Sequence, residues 1–141
     1  MSQMRLLRGL ACALLVAIVS ACASPRPGEA EIPDGAKVTH RAVFIGKSLH
    51  DTVGTISIYQ SDQPAVVVLE PNFSLSGPND AVIALGRNGY RPDTGLGPLL
   101  RTAGRQAYAV PEHLPIEGYN EVWLWSRGRD IPLGLARLVP I

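Results

Sequence analysis

The sequence predicts an all-β domain, an antiparallel β-sandwich or flattened barrel, preceded by a signal peptide and a flexible tether. Three observations carry this expectation. Apolar runs beyond residue 36 are short and are broken by Gly, Pro, Asn and Asp, with Gly and Pro supplying 14 and 12 of the 141 residues. Several of these runs alternate apolar with polar residues, the two-residue period of a half-buried strand. No stretch beyond the N-terminus sustains a helical period.

The N-terminus comes first. Arg5 and Arg8 lie in an acid-free start, and Leu10 to Val19 is apolar or small without interruption. A basic region followed by a short apolar run reads as a secretory signal, too short to span a bilayer as a helix. Val19-Ser20-Ala21-Cys22 resembles the bacterial lipobox, in which an aliphatic and two small residues precede a cysteine that receives a diacylglyceryl thioether. The resemblance implies a signal peptide at 1–21, cleavage before Cys22 and acyl chains on Cys22, which make the lipid membrane the first partner. Several such chains hold stably where one holds marginally. Ala23 follows the cysteine where an Asp would retain the protein at the inner membrane, so the resemblance implies an exported protein anchored in the outer membrane. Cys12 leaves with the signal and Cys22 is consumed by lipid, so no disulfide can form within one mature chain. The full chain has 13 Lys+Arg and 12 Asp+Glu. Loss of Arg5 and Arg8 leaves the acids one ahead, which gives no reason to expect nucleic-acid binding.

Residues 22–36 are predicted to be the lipidated cysteine and a disordered tether. Pro25, Pro27, Gly28, Pro33 and Gly35 accompany a single larger aliphatic residue, Ile32. At ~3 Å per residue such a segment reaches roughly 35 Å from the membrane. One β-domain is predicted over 37–141. Its strands, in order, are Arg41–Ile45, Gly54–Gln60, Ala65–Glu70, Ala81–Leu85, Gln106–Val110, Glu121–Ser126 and Ile131–Val139. In the second, Ile56 and Ile58 alternate with Thr55 and Ser57. In the third, Val66-Val67-Val68-Leu69 is continuously apolar, which predicts a central strand covered on both faces. In the sixth, Val122, Leu124 and Ser126 share one face, opposite Trp123 and Trp125. The turn Arg127–Asp130 leads into the last.

Chemistry-bearing residues are few. His50 and Asp51 are adjacent, so they can act together only in a turn; the simpler role is hydrogen bonding to a loop. His40 and His113 stand apart, and no His-x-His, Cys-x-x-Cys or His-Glu-x-x-His spacing occurs, so neither a metal nor another cofactor is expected. There is no Gly-x-Ser-x-Gly elbow and no phosphate loop. The segment Gly86–Arg105 is predicted as a long loop carrying Arg87, Arg91, Arg101 and Arg105 against one acid, Asp93. Four guanidinium groups there would suit phosphates or carboxylates of an envelope polymer, unless they only solvate the loop. Trp123, Trp125, Tyr108 and Tyr119 are either a carbohydrate platform or packing.

From His50 onward, short motifs fall in a recognisable order. His50-Asp51-Thr52-Val53-Gly54-Thr55-Ile56-Ser57-Ile58 is followed by Leu69-Glu70-Pro71-Asn72-Phe73 and Gly77-Pro78-Asn79-Asp80-Ala81-Val82-Ile83-Ala84-Leu85. Leu96-Gly97-Pro98-Leu99 and Gly104-Arg105-Gln106-Ala107-Tyr108-Ala109-Val110-Pro111 come next. Tyr119, Val122, Leu124-Trp125 and Gly134-Leu135-Ala136-Arg137-Leu138 close the series. This order resembles the DM-thirteen domain family, a small all-β module proposed to carry electrons, found beside DOMON domains in animal proteins and alone in bacterial exported ones. The resemblance implies a ligand or redox site at His50, Asp80, Trp125 and Ser126. Two departures bear on it. The family's proposed redox cysteine follows the strand tryptophan, where this chain has Ser126, and a hydroxyl cannot cycle as a thiol does. Asn79 stands where the family usually has its Asp, with Asp80 one place on. The sequence therefore supports a non-catalytic binding or interaction module for an unknown envelope partner or polymer. The rival is a single-electron carrier using Trp125, a tyrosine or a bound cofactor.

Overall fold

A computed structural model describes residues 25–141; the signal peptide expected at 1–21 and Cys22 lie outside the described residues. Eleven strands follow one another: β1 Lys37–Gly46, β2 Asp51–Val53, β3 Thr55–Gln60, β4 Val66–Leu69, β5 Ser74–Ser76, β6 Ala81–Gly86, β7 Tyr90–Pro98, β8 Gln106–Ala109, β9 Glu121–Ser126, β10 Ile131–Arg137 and β11 Val139–Pro140. A 3₁₀ turn spans Ile116–Gly118. The main sheet runs β7-β6-β9-β10-β1-β3-β4-β8, with β11 added to β1. Every strand pair is antiparallel. The sheet curls until β7 nears β8, giving the flattened, nearly closed barrel that the sequence predicts. β2 and β5 form a separate ribbon across the lower end, where β6 begins. Thr52 Oγ1 donates to the Leu133 carbonyl at 2.8 Å, and the Leu75 N–H donates to Thr102 O at 2.7 Å.

Alternation decides which side chains fill the barrel. Ile56 and Ile58 of β3 and Val122 and Leu124 of β9 are fully buried, and they meet Phe44, Phe73, Ile83, Leu85 and Leu133 in one core. Each such aliphatic burial contributes about 1.5–3 kcal/mol. The phase of β1 is equally clear: Ala42 and Phe44 point inward, while Val43 and Ile45 face solvent, 65% and 54% exposed.

β4 has no exposed face. Val67 and Leu69 belong to the barrel core, whereas Val66 and Val68 lie on the outer surface with Ala107. The cover for that outer surface is the segment expected to be tether. Ala30 is buried on Val66, Val68 and Ala107, and Ile32 packs beside it. The Ala107 N–H donates to Gly28 O at 3.0 Å, and the Ala30 N–H donates to Ala107 O at 3.1 Å. The folded unit therefore begins well before residue 37, and the disordered-tether expectation fails over Gly28–Ile32. Two small apolar contacts and two ladder bonds to a free strand edge suffice to dock a segment too polar to fold alone. At the crossing, a Cβ on Gly28 would come 2.5 Å from Leu100 Cβ, and one on Gly97 would come 2.7 Å from Pro27. Both glycines also have positive φ, +88° and +128°. The segment is a strap over the β7–β8 seam, and close approach requires glycine on each side.

The long arginine loop is also corrected. Gly86–Arg105 is mostly hairpin: β7 pairs with β6 from Tyr90↔Gly86 to Pro98↔Val82, with two register shifts. Pro92, Gly95 and Gly97 resemble loop punctuation, yet they are tolerated here because β7 is a bulged strand paired on one side only. Thr94 and Leu96 still turn inward and are buried.

Candidate functional site

Ser126 ends β9 on the inward face and is completely buried. Its hydroxyl lies 3.0 and 2.9 Å from the two carboxylate oxygens of Asp80 and donates its one proton to them. The same Oγ accepts the Arg129 N–H at 3.2 Å. Asp80 Oδ2 further accepts the Gly128 N–H at 2.8 Å, and a Cβ at Gly128 would come 2.7 Å from that oxygen. Asp80 and Ser126 thus clamp the β9–β10 turn onto the start of β6. The Gly128 N–H, followed by the Ser126 hydroxyl, holds the Asp80 carboxyl below its ordinary pKa of 3.8.

Trp125 faces the other way. Its indole N–H donates to Asp130 Oδ1 at 2.9 Å, and its ring stacks on Tyr90 with centroids 4.1 Å apart and planes within 6°. Trp123 meets Trp125 edge-on at 6.2 Å. Burial, with the negative charge of Asp130 next, raises the Tyr90 phenol above its ordinary value. The three rings form an aromatic row on the outer face of β7 and β9, each half-buried. Tyr90 was not singled out from the sequence because Arg87–Pro98 read as loop, which gave it no face to share with Trp125.

Of the four positions implied by the family resemblance, only Asp80 and Ser126 come together. His50 Nδ1 hydrogen-bonds the Ser76 carbonyl at 3.1 Å, and its ring rests against Gly77, where a Cβ would come within 2.8 Å. Asp51 is exposed on β2 opposite Ser76. His40 bonds Thr39 Oγ1 at 2.9 Å, and His113 is exposed on the connection before the 3₁₀ turn. Among the described residues no group of three or more His, Cys, Asp or Glu gathers to hold a metal.

The four arginines are not one cluster. Arg87 Nη1 donates to Gly118 O at 3.3 Å at the upper end, while Arg101 Nη1 donates to Arg105 O at 3.0 Å at the lower end. β6 separates these ends by roughly 17–20 Å, and Arg91 lies exposed along β7. Tyr108 and Tyr119 leave the aromatic platform as well. Tyr119 packs on the core, and Tyr108 is fully buried, its phenol pushed up to about 12 chiefly by burial. Tyr108 belongs to a polar network that the sequence does not reveal. Its hydroxyl donates to Gln106 Oε1 at 2.7 Å, Gln106 Oε1 accepts the Leu100 N–H at 3.0 Å, and Gln106 Nε2 donates to Arg101 O at 2.8 Å. The network pins the β7–β8 connection from inside the barrel. Comparison of the chain with family models, curated proteins and solved structures returns no match.

Proposed function

We propose that the protein is a lipid-anchored, non-catalytic module of the DM-thirteen type, held to the outer membrane through acylated Cys22, that binds a partner or polymer of the bacterial cell envelope. The observation that carries this reading is the Ser126–Asp80 clamp. At the position where the family resemblance puts a redox thiol, a buried hydroxyl spends its proton and its lone pair on fixing a turn. The aromatic row beside it supports binding, because half-exposed rings on a rigid sheet offer a large contact area that loses little entropy when covered. The test is fractionation combined with capture. Wild-type protein should partition with membranes and retain an envelope component after mild crosslinking. Cys22→Ser should appear in the soluble fraction or remain unprocessed. Lipid-free wild-type protein, or capture of nothing from the envelope, would overturn the reading.

The single-electron rival has one specific support, the contact of Tyr90, Trp125 and Trp123 rings at 4.1 and 6.2 Å. Protein-film voltammetry separates the two. A reversible wave that Trp125→Phe removes would replace the binding module with an electron carrier, and a featureless scan supports binding.

A further inference from the structure

At the upper end of the aromatic row lies a groove of about 510 Å³, bounded by Lys47, Asn88, Asn120, Glu121, Trp123 and Arg137. Its size falls in the ordinary range for small-ligand sites. Trp123 has its place in the lining for a structural reason. A Cβ on Gly86 would come 2.7 Å from both Cδ1 and Nε1 of the indole, so glycine on the neighbouring strand leaves room for the ring. Glu121, 7% exposed, accepts the Trp123 indole N–H at 3.4 Å and the Gly89 N–H at 2.7 Å. One carboxylate therefore fixes the aromatic wall and the β6–β7 turn together. Leu135, 1% exposed, supplies an apolar floor.

The rim has a different character. Asn88 and Asn120 are exposed amides, each with donors and an acceptor spaced to meet neighbouring hydroxyls. Lys47 and Arg137 bring two cations, and Glu121, the one acid in the lining, is committed to the indole and the turn. A flat indole takes the C–H face of a pyranose ring, the amides take its hydroxyls, and the cations take a carboxylate. A simple anion would use the cations but would leave the ring idle. A neutral sugar would use the ring but would leave the cations idle. We propose that this groove binds a carboxylate-bearing saccharide, its ring face on Trp123, its hydroxyls on Asn88 and Asn120, and its acid group on Lys47 and Arg137. The proposal deepens the binding-module reading and rests on it by naming the class of envelope polymer.

The experiment titrates the full chain, in detergent micelles, with three probes: tetragalacturonate, its methyl ester, and the N-acetylglucosaminyl-N-acetylmuramic acid disaccharide. Tryptophan fluorescence and calorimetry report binding. At least one acidic probe should bind and perturb the fluorescence, and the methyl ester should bind about tenfold more weakly than tetragalacturonate if that is the ligand. Tetragalacturonate alone would point to a uronate polymer, and the disaccharide alone to a muramate-bearing one; either supports the proposal. Arg137→Gln and Asn120→Ala, both on the exposed rim, should each weaken acidic-probe binding about tenfold at an unchanged thermal midpoint. Trp123→Ala should abolish binding and Trp123→Phe should restore part of it. If neither acidic probe binds, if the ester binds as well as its acid, or if the rim variants bind like wild type, the proposal is overturned. Continued capture of an envelope component by wild type in that event would leave the binding module standing with its site elsewhere.

Discussion

Ser126 sits where the β6–β9 ladder ends, opposite Ala81: its proton goes to Asp80 on the approach to β6, and its oxygen takes the Arg129 N–H of the following turn. Ser126→Val fits the volume but removes the hydroxyl that links Asp80 to the Arg129 N–H, so it should lower the urea midpoint. Ser126→Cys should fall between wild type and Val, because sulfur is a weak donor. A midpoint for Val equal to wild type would show that the clamp carries no stability. Acid adds a second signature. The Asp80 pKa is depressed in the folded state, so its contribution is fully present above the ordinary value of 3.8 and is lost as pH falls through the lower folded value. The stability gap between wild type and Asp80→Asn should therefore be constant from neutral pH to about pH 5 and close in stronger acid. Alternation along β9 makes the inward burial of Ser126 legible from sequence. Its partner is not legible, because Asp80 lies 46 residues away in a turn whose local pattern names no contact.

β7 and β4 show how elements are read and misread. The long alternating or continuous runs, β3, β4, β6, β8, β9 and β10, are where the sequence puts them, since two-residue periodicity and burial point the same way. β2 and β5 are three residues each, too short for a period to show, and they pair only with each other. β7 hides behind Pro92, Gly95 and Gly97, which signal a loop in a central strand and are harmless on a bulged edge. Read as loop, that segment puts its arginines in one cluster and leaves Tyr90 without a partner. The connection from β7 to β8 is held less by its own residues than by Gln106 and Tyr108. Gln106→Leu would remove the partner of the Arg101 N–H and carbonyl and leave the Leu100 N–H and the Tyr108 hydroxyl only each other and the Pro98 carbonyl, which should cost about 1–3 kcal/mol. Hydrogen exchange should locate the damage, with the Arg101 amide exchanging faster while β3 and β9 amides hold their order of protection. Uniform loss of protection would mean that the network supports the whole barrel rather than one connection.

At the scale of the molecule, the strap decides where the domain starts. Val66-Val67-Val68-Leu69 announces a strand covered on both faces, and Ala30 and Ile32 are in plain view upstream, but composition assigned their segment to solvent. Pairing to a free edge is a tertiary fact that composition does not encode. A chain beginning at Lys37 should consequently expose Val66, Val68 and the open side of β8, a template for strand addition. It should self-associate with rising concentration in sedimentation velocity, and a chain beginning at Pro25 should not. Equal behaviour of the two would show that the strap protects nothing. Docking of Gly28 also sets the geometry of any tether at Cys22. Six residue steps separate Cys22 from Gly28, at most about 22 Å of extended chain, against the roughly 35 Å available to a free segment. The effective concentration of a tethered domain falls roughly as the −3/2 power of leash length, so the shorter leash raises it about twofold. With Cys22 acylated as proposed, the domain would meet ligands that lie along its own membrane rather than across the space beyond it.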